Sequence, residues 1–264
     1  MRFNVYATLG KEVYTPDTIR RLTLEESIPI CRAEWGGYFQ DKETLLQWFL
    51  NTESNNHGAL LFLCRELLKH RYRGVLSLGA GSCVTEYLLK QWLPDDTEIV
   101  AVDHNPYYID KARQLFPSLK VQQFDFFNDD VADLGKLFNK GCEVAVFFGS
   151  AYSMDDETFV KLFAGLRALG VHAVIDFHAG FIRYRRIPLE LLTELKWTLV
   201  DRLRLKSLMR GVFVHGYART RSELRKLYKQ AGFTSIQETS VPPQFRYVSV
   251  LSDLNRQPLA LPEE

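Results

Sequence analysis

A glycine-rich turn and two aspartates are the features of this sequence whose residue types and spacing best suit ligand binding. Gly79, Ala80 and Gly81 follow a short apolar run at 75–78 and precede a segment with helical character. A glycine turn between a strand and a helix exposes backbone N–H groups and leaves little side-chain bulk at the strand's carboxyl end. Ligands of open α/β sheets bind at that end, so the turn is a candidate ligand site.

The two aspartates each follow a later apolar run and extend the candidate site along the same sheet edge. Asp103 comes after residues 99–102, and Asp125 comes after residues 121–124. A carboxylate at the first position can accept hydrogen bonds from both hydroxyls of a ribose. Asp125 can accept from the amine of an adenine, whose face the ring of Phe126 can cover. Each acid alone could equally be a helix cap or a loop residue, but the ordered set favours a nucleotide-type ligand.

Five apolar runs predict the sheet that positions these residues. Each run is continuous rather than alternating in apolarity, which favours strands buried on both faces of a parallel sheet. Helix signals lie between them: Asn105-Pro106 suits a helix start, and a helix from Asp155 should end at Gly170. The alternation predicts a doubly wound α/β fold. The runs lie at 75–78, 99–102, 121–124, 144–148 and 171–177.

The flanking segments give the expected domain organisation. Residues 1–70 are expected to form a helical cap or lid, including an apolar stripe over 57–70 that carries Leu60, Leu63, Cys64, Leu67 and Leu68. Residues 71–257 are the main domain, with a helical insertion at about 181–211, and 258–264 are a tail. A capping box, Thr220 to Glu223, predicts a late helix. Strands near 234–241 and 245–251 should follow, with a turn at Pro242-Pro243 between them.

Over residues 60–251 the sequence resembles the class I S-adenosylmethionine-dependent methyltransferases that act on small molecules. The resemblance implies that the turn Gly79-Ala80-Gly81 contacts the methionine part of the cofactor, that Asp103 holds the ribose, and that Asp125 with Phe126 holds the adenine. We add His104 and Ser150, which adjoin the same strand ends, to the cofactor set. The resemblance also implies a seven-stranded, mostly parallel sheet whose last strand, 246–251, is antiparallel.

Two positions depart from the family pattern. The family usually has an acidic residue where Ser77 stands, and often a third glycine where Cys83 stands. Glu86, one helical turn after Cys83, could replace the missing carboxylate, or it could be an ordinary solvated helix residue.

Methyl transfer requires alignment of the acceptor and, where the acceptor must lose a proton, a base. The candidates follow the fourth and fifth runs. We expect His178 to be the base and Tyr152 to orient the acceptor, with His215 as the alternative base. A hydrogen-bonded structural role is the competing interpretation for each histidine.

Charge in the insertion suggests the kind of acceptor. Residues 183–210 hold eight basic and three acidic side chains, an excess of five positive charges. Clustered arginines suit an acceptor that carries a carboxylate or a phosphate. A solvated helix pair, an acidic partner and an anionic lipid surface are the alternatives.

Bulk composition limits the other classes of protein. The net charge of +1 provides no global field for nucleic acid. The four cysteines lie far apart with no histidine at ligand spacing, which predicts neither a metal site nor disulfides and fits a reducing cytoplasm. No apolar run reaches the roughly 18 residues of a membrane span. The oligomeric state stays open.

Three other functions compete with methyl transfer. A nicotinamide-dependent dehydrogenase would need a third glycine where Val84 stands. An aminoalkyl transferase using the same cofactor usually has an acidic channel, whereas this insertion is basic. A methyltransferase-like binding module without catalysis is the third, and the changes at Ser77 and Cys83 keep it open.

Overall fold

The structure is a computed structural model that describes residues 1–10, 16–51, 56–241 and 245–253. Its strands are β1 (Arg2–Thr8), β2 (Gly74–Leu78), β3 (Glu98–Asp103), β4 (Lys120–Gln123), β5 (Val144–Phe148), β6 (Ala173–Phe177), β7 (Phe181–Ile182), β8 (Val212–Thr220), β9 (Ser235–Val241) and β10 (Phe245–Ser252). Its helices are α1 (Leu24–Trp35), α2 (Lys42–Asn51), α3 (Asn56–Lys69), α4 (Val84–Trp92), α5 (Pro106–Leu115), α6 (Ala132–Gly135), α7 (Asp156–Leu169), α8 (Ile187–Arg202), α9 (Lys206–Met209) and α10 (Arg221–Gln230).

A seven-stranded sheet forms the centre of the molecule, in the order β4-β3-β2-β5-β6-β10-β9. Strands β2 to β6 pair in parallel, and β10 runs antiparallel to both of its neighbours. Every residue of β2 and β6 is buried, which explains their continuous apolar runs. The predicted doubly wound fold, with its antiparallel last strand at 246–251, is therefore confirmed.

Local signals placed two of the helices correctly. Asn105 caps α5, since its Oδ1 accepts a hydrogen bond from the Tyr107 amide at 3.0 Å. Asp155 caps α7 in the same way, accepting from the Thr158 amide at 2.8 Å. Gly170 ends α7 in a left-handed conformation with φ at 89°. These caps fix the helices at the edge where the candidate site lies.

Two predicted local details are wrong. Helix α10 begins at Arg221, but the side chain of Thr220 makes no capping hydrogen bond. The carboxylate of Glu223 instead accepts from the Met1 ammonium at 3.0 Å, because β1 lies beside the end of β8. In α3 the stripe includes buried Leu63, but Leu68 is 45% exposed.

The first 70 residues are not entirely helical. Strand β1 pairs antiparallel with β8, which also pairs with the short β7, and this second sheet was not expected from the sequence. Helices α2 and α3 share a hydrophobic core with the central sheet, where Leu45 and Leu60 pack with Val75 and Ile99. The domain boundary at residue 70 stays a prediction.

The insertion expected at 181–211 contains β7, a 3₁₀ turn at Tyr184–Arg186, α8 and α9. The predicted turn at Pro242-Pro243 and the tail at 258–264 lie outside the described residues. Within the described part of the chain, no helix has both the length and the apolarity needed to cross a membrane.

Candidate cofactor and acceptor site

The glycine turn after β2 lies against the end of β5. Gly79 and Gly81 both have left-handed backbones, with φ at 69° and 51°. The Gly79 amide donates to the Val102 carbonyl at 2.8 Å, which holds the turn against β3. A Cβ atom at Gly79 would lie 2.4 Å from the Cβ of Ser150, so only glycine allows the two strand ends to approach this closely.

Asp103 holds the glycine turn in place. Its Oδ2 accepts from the Gly81 amide and its Oδ1 from the Asn105 amide, each at 2.9 Å. The residue is buried, and each carboxylate oxygen has a further lone pair that could accept from a ligand. The structure thus brings Gly79, Gly81, Asp103 and Ser150 together at one sheet edge, and gives Asp103 a positioning role that the sequence did not reveal.

Asp125, which is expected to bind the adenine, is hydrogen-bonded within its own loop. The ring centroids of His104 and Phe126 lie 6.0 Å apart, and Phe126 is buried. Asp125 accepts from the Phe127 amide at 2.9 Å and from the Asn128 side chain at 2.7 Å. Asp125 therefore caps its own loop, as its alternative interpretation expected, and its contact with a cofactor stays a prediction.

Glu86, in the first turn of α4, lies beside Ser77 on β2. The Ser77 hydroxyl donates to Glu86 Oε1, and within the described part of the chain Oε2 has no hydrogen-bond partner. Burial raises the pKa of Glu86 to about 7, and the charge of Asp103 acts in the same direction. Cys83 is also buried, and burial raises the pKa of its thiol well above the usual range, which suits a small packing residue rather than a nucleophile.

Tyr152 and His215 form a hydrogen-bonded pair next to the end of β5. Tyr152 lies in a 3₁₀ turn at Ala151–Ser153, and its hydroxyl contacts Nε2 of His215 on β8. Two glycines make room for the tyrosine: a Cβ at Gly216 would lie 2.6 Å from its ring, and one at Gly180 would lie 2.8 Å from its Cβ. These glycines carry no sequence motif, so sequence reasoning missed them.

The electrostatics of the pair suit proton transfer. Burial raises the pKa of Tyr152 to about 12, so its hydroxyl keeps its proton at neutral pH. Burial lowers the pKa of His215, and the positive charge of Arg21 lowers it further. A neutral imidazole with one basic nitrogen is what a general base requires.

A cleft of about 470 Å³ opens next to this pair, within the size range of small-molecule sites. Strand β1 and helix α8 supply its other walls. The Tyr6 hydroxyl donates to Glu194 at 2.9 Å, and the ring centroids of Tyr6 and Trp197 are 5.8 Å apart. The lining residues include Asn4, Tyr6, Tyr152, Gly180, Arg186, Glu190, Trp197 and His215.

His178, the expected base, is fully enclosed. Its side chain has no exposed surface, and its Nδ1 lies 3.2 Å from Oδ2 of Asp176. The same Asp176 oxygen accepts from the Tyr228 hydroxyl at 2.5 Å. The ring does not line the cleft, and its contact with Asp176 matches the structural interpretation of His178. Among the described residues its Nε2 has no hydrogen-bond partner. Its role as the base stays an untested prediction.

The strand order and the reversed β10, with the glycine turn after the first strand of the parallel set, define the fold of class I S-adenosylmethionine-dependent methyltransferases. Similar solved structures include the methyltransferase SibL (TM-score 0.53, 18% identity, 75% of this chain and 55% of that one). The match to human N-acetylserotonin methyltransferase (TM-score 0.53, 17% identity) covers 88% of this chain and 63% of that protein. The match to the mitomycin 7-O-methyltransferase MmcR (TM-score 0.54, 15% identity) covers 83% of this chain and 60% of that protein.

These similarities concern the fold, and the chain spans only 55 to 63% of the length of those three proteins. No family model matches the sequence, and the search of curated proteins finds no match. The part of the chain that the structure describes contains no cluster of three or more histidine, cysteine, aspartate or glutamate side chains that could hold a metal ion.

Proposed function

We propose that this protein is an S-adenosylmethionine-dependent methyltransferase that methylates an oxygen or nitrogen atom of a small molecule. One observation carries the proposal: the edge formed by Gly79, Asp103 and Ser150 continues from Ser150 directly into the 3₁₀ turn of Tyr152, which with His215 lines the cleft. Two solved structures of similar fold support the choice of cofactor. Human N-acetylserotonin methyltransferase was solved with S-adenosylmethionine and PigF with S-adenosylhomocysteine.

The residues present fit this cofactor. The turn Gly79-Ala80-Gly81, whose largest side chain is a methyl group, can lie along its methionine part, next to Ser150. We propose that Asp103 holds the ribose through the lone pairs that its contact with the Gly81 amide leaves, and that His104, Asp125 and Phe126 hold the adenine. The rings of His104 and Phe126, 6.0 Å apart, support the second assignment.

We further propose that Glu86 faces the amino group of the cofactor. Its unpartnered, buried Oε2 is an acceptor in a place where an ammonium would supply the missing hydrogen bond. The glutamate on α4 would then replace the acid that the family usually has at the position of Ser77.

When bound, the cofactor supplies a methyl group on a sulfonium that is already activated for transfer. The chain's own residues then have to align the acceptor and take up its proton. We assign the proton to His215 Nε2, either directly or through the Tyr152 hydroxyl, because both groups line the cleft. His178 would contribute by holding Asp176 and the end of β6 in place.

We propose that a single basic residue of the insertion, not the whole cluster, contacts a negatively charged acceptor. Of the eight basic residues between 183 and 210, Arg186 lines the cleft, and it lies 3.8 Å from Glu190. A carboxylate or phosphate on the acceptor would therefore be held by Arg186, in exchange for its contact with Glu190.

Calorimetric titration with S-adenosylhomocysteine, with NAD as the control ligand, tests the proposal first. Micromolar binding of S-adenosylhomocysteine alone would support it, and binding of NAD alone would contradict it. A screen of small oxygen and nitrogen nucleophiles with labelled S-adenosylmethionine then tests methyl transfer. Cofactor binding with no transfer to any acceptor would favour a binding module, and release of an aminoalkyl chain would favour the other transferase class.

The role of Glu86 has its own readout. Since its pKa is raised to about 7, an ammonium beside it should drive off its proton when the cofactor binds. Titrations near neutral pH in buffers of different ionisation enthalpy should show proton release for the wild type and none for Glu86→Gln. Equal release by both proteins would remove Glu86 from the site.

A further inference from the structure

Helix α8 presents leucines to the outside of the molecule. Leu192, Leu195 and Leu199 of α8, and Leu203 at its C-cap, recur at three- and four-residue spacings and are 63%, 56%, 47% and 66% exposed. This spacing places them on one face of the helix. With Leu189 and Leu191, which are also exposed, they form what we call the leucine patch. An apolar surface of this kind on a folded domain indicates a binding surface.

The orientation of α8 is fixed by its polar face, which points inward. Glu194 accepts hydrogen bonds from the Tyr6 hydroxyl at 2.9 Å and from the backbone amide of Asn4. Asp201 accepts from the Ile19 amide at 3.2 Å. Turning the helix to bury its leucines would break these hydrogen bonds, so the leucine patch stays outside in the folded domain.

Basic side chains stand at both ends of the leucine patch. Arg183 and Arg185 precede α8, and Arg202, Arg204 and Lys206 end it or follow it, all of them exposed. Among the described residues, none of these five side chains is in an ion pair. The surface therefore combines a helix-long apolar face with uncompensated positive charge.

We infer that the leucine patch and its basic ends dock on the surface of a bilayer that contains anionic lipids. In such docking the leucines enter the boundary between headgroups and acyl chains, and the arginines contact headgroup phosphates. A second copy of the chain suits the surface less well. In a parallel or an antiparallel pair of α8 helices, basic ends would face basic ends, which is repulsive. The inference does not rest on the proposed function.

Cosedimentation of the full chain with vesicles tests this inference. Vesicles of phosphatidylcholine alone are compared with vesicles in which part of it is replaced by phosphatidylglycerol. We expect binding to the anionic vesicles, weakened by salt. Leu195→Ser with Leu199→Ser should weaken it by about tenfold or more, since both side chains lose apolar burial. Arg202→Gln with Arg204→Gln should weaken it about fivefold per arginine removed.

Matched control variants lie on other surfaces. Leu61→Ser changes a leucine that is 53% exposed on α3, and Lys140→Gln removes an exposed charge. Both controls should bind the vesicles as the wild type does, and thermal melts check that all variants fold. Equal binding by the leucine variants and the wild type would overturn the inference, as would equal binding to neutral vesicles. A dimer in light scattering that the leucine variants dissociate, with no vesicle binding, would overturn it in favour of self-association.

Discussion

The cofactor edge of the central sheet and the cleft beside it are made of different parts. The edge uses backbone atoms and buried acids, and its glycine turn and Asp103 lie within 25 positions of each other along the chain. The cleft uses side chains from β1, α8 and β8, so that Tyr6 contacts Glu194 from 188 positions away. The edge is set by local sequence and the parallel sheet, whereas the cleft exists only once the second sheet has formed.

Under the proposed function, the edge binds the cofactor, and the cleft binds the acceptor and takes up its proton. Under that function, a backbone turn held by Asp103 binds the cofactor with little dependence on the rest of the surface. A cleft walled by aromatic and charged side chains can change its acceptor by substitution without disturbing the sheet. Substitutions at the edge should therefore change cofactor affinity, whereas substitutions in the cleft should change the rate of methyl transfer.

We expect the largest effect from the cleft side. His215→Asn should lower kcat by about 100- to 10,000-fold, because a positioned base contributes that much to proton transfer. The KM for the acceptor should change little. Because burial lowers the pKa of His215, wild-type activity should be lost as the pH falls through a value below the usual 6.5. Initial rates across pH, with an acceptor from the screen, measure both effects.

The control for this prediction is His178→Asn, since His178 does not line the cleft. If kcat fell in a folded His178→Asn variant and stayed at the wild-type value in His215→Asn, then His178 and not His215 would be the base. Tyr152→Phe should fall between them, because it removes only the hydroxyl that contacts His215.

Glu86 should give the next largest effect, on stability. A carboxyl whose pKa is about 7 in the folded protein, against an ordinary 4.5, favours the folded state when protonated. The free energy of unfolding should therefore fall as the pH rises from about 4.5 to about 7, by on the order of 3 kcal/mol. Glu86→Gln should remove this fall, and the exposed Glu25→Gln should not. Urea unfolding on either side of this range measures it, and identical pH dependence in all three proteins would contradict it.

Asp103→Ala should weaken S-adenosylhomocysteine binding by about 1–3 kcal/mol, because it removes a charged acceptor and frees the glycine turn. Asp110→Ala is the control, since Asp110 is exposed on the neighbouring helix. Calorimetry measures both affinities. Wild-type affinity in Asp103→Ala would remove Asp103 from the cofactor site.

The smallest effect is a contrast between the two glycines of the turn. Both have left-handed backbones, but a Cβ at Gly79 meets Ser150, whereas at Gly81 it meets no atom within 4 Å. Gly79→Ala should therefore lower the free energy of unfolding by about 1 kcal/mol more than Gly81→Ala. Adding Ser150→Gly to Gly79→Ala should recover only part of that difference, because it removes the clash but also the hydrogen bond that Ser150 Oγ donates to the Leu78 carbonyl at 2.5 Å. Equal destabilisation in both glycine variants would mean that the strand ends do not touch.

The elements that sequence predicted well are those whose signals are local. Continuous apolar runs located β2 to β6, and Asn105 and Asp155 marked helix starts that the structure confirms. The sequence also placed the glycine turn directly after β2 and Asp103 at the end of β3, as the structure has them. Each of these features depends on residues within one strand, one turn or one cap.

The missed elements depend on contacts between distant residues. Strand β1 is stable as a strand because β8 pairs with it from more than 200 positions away. Glu223 fitted a capping box by spacing, but the Met1 ammonium takes its carboxylate in the fold. His178 contacts Asp176 only two positions away. The Tyr228 hydroxyl that donates to the same Asp176 oxygen comes from α10, 52 positions along the chain, and the local sequence gives no sign of it.

The position of β10 has a consequence for how the chain folds during synthesis. Since β10 lies between β6 and β9, strand β9 leaves the ribosome before β10, the strand with which it pairs, has been made. Until residues 245–252 are made, β6 has an open edge and β9 has no partner in this sheet. Such an unpaired apolar edge is prone to aggregation, so the strand order leaves the nascent domain exposed to aggregation until its late strand β10 closes the sheet.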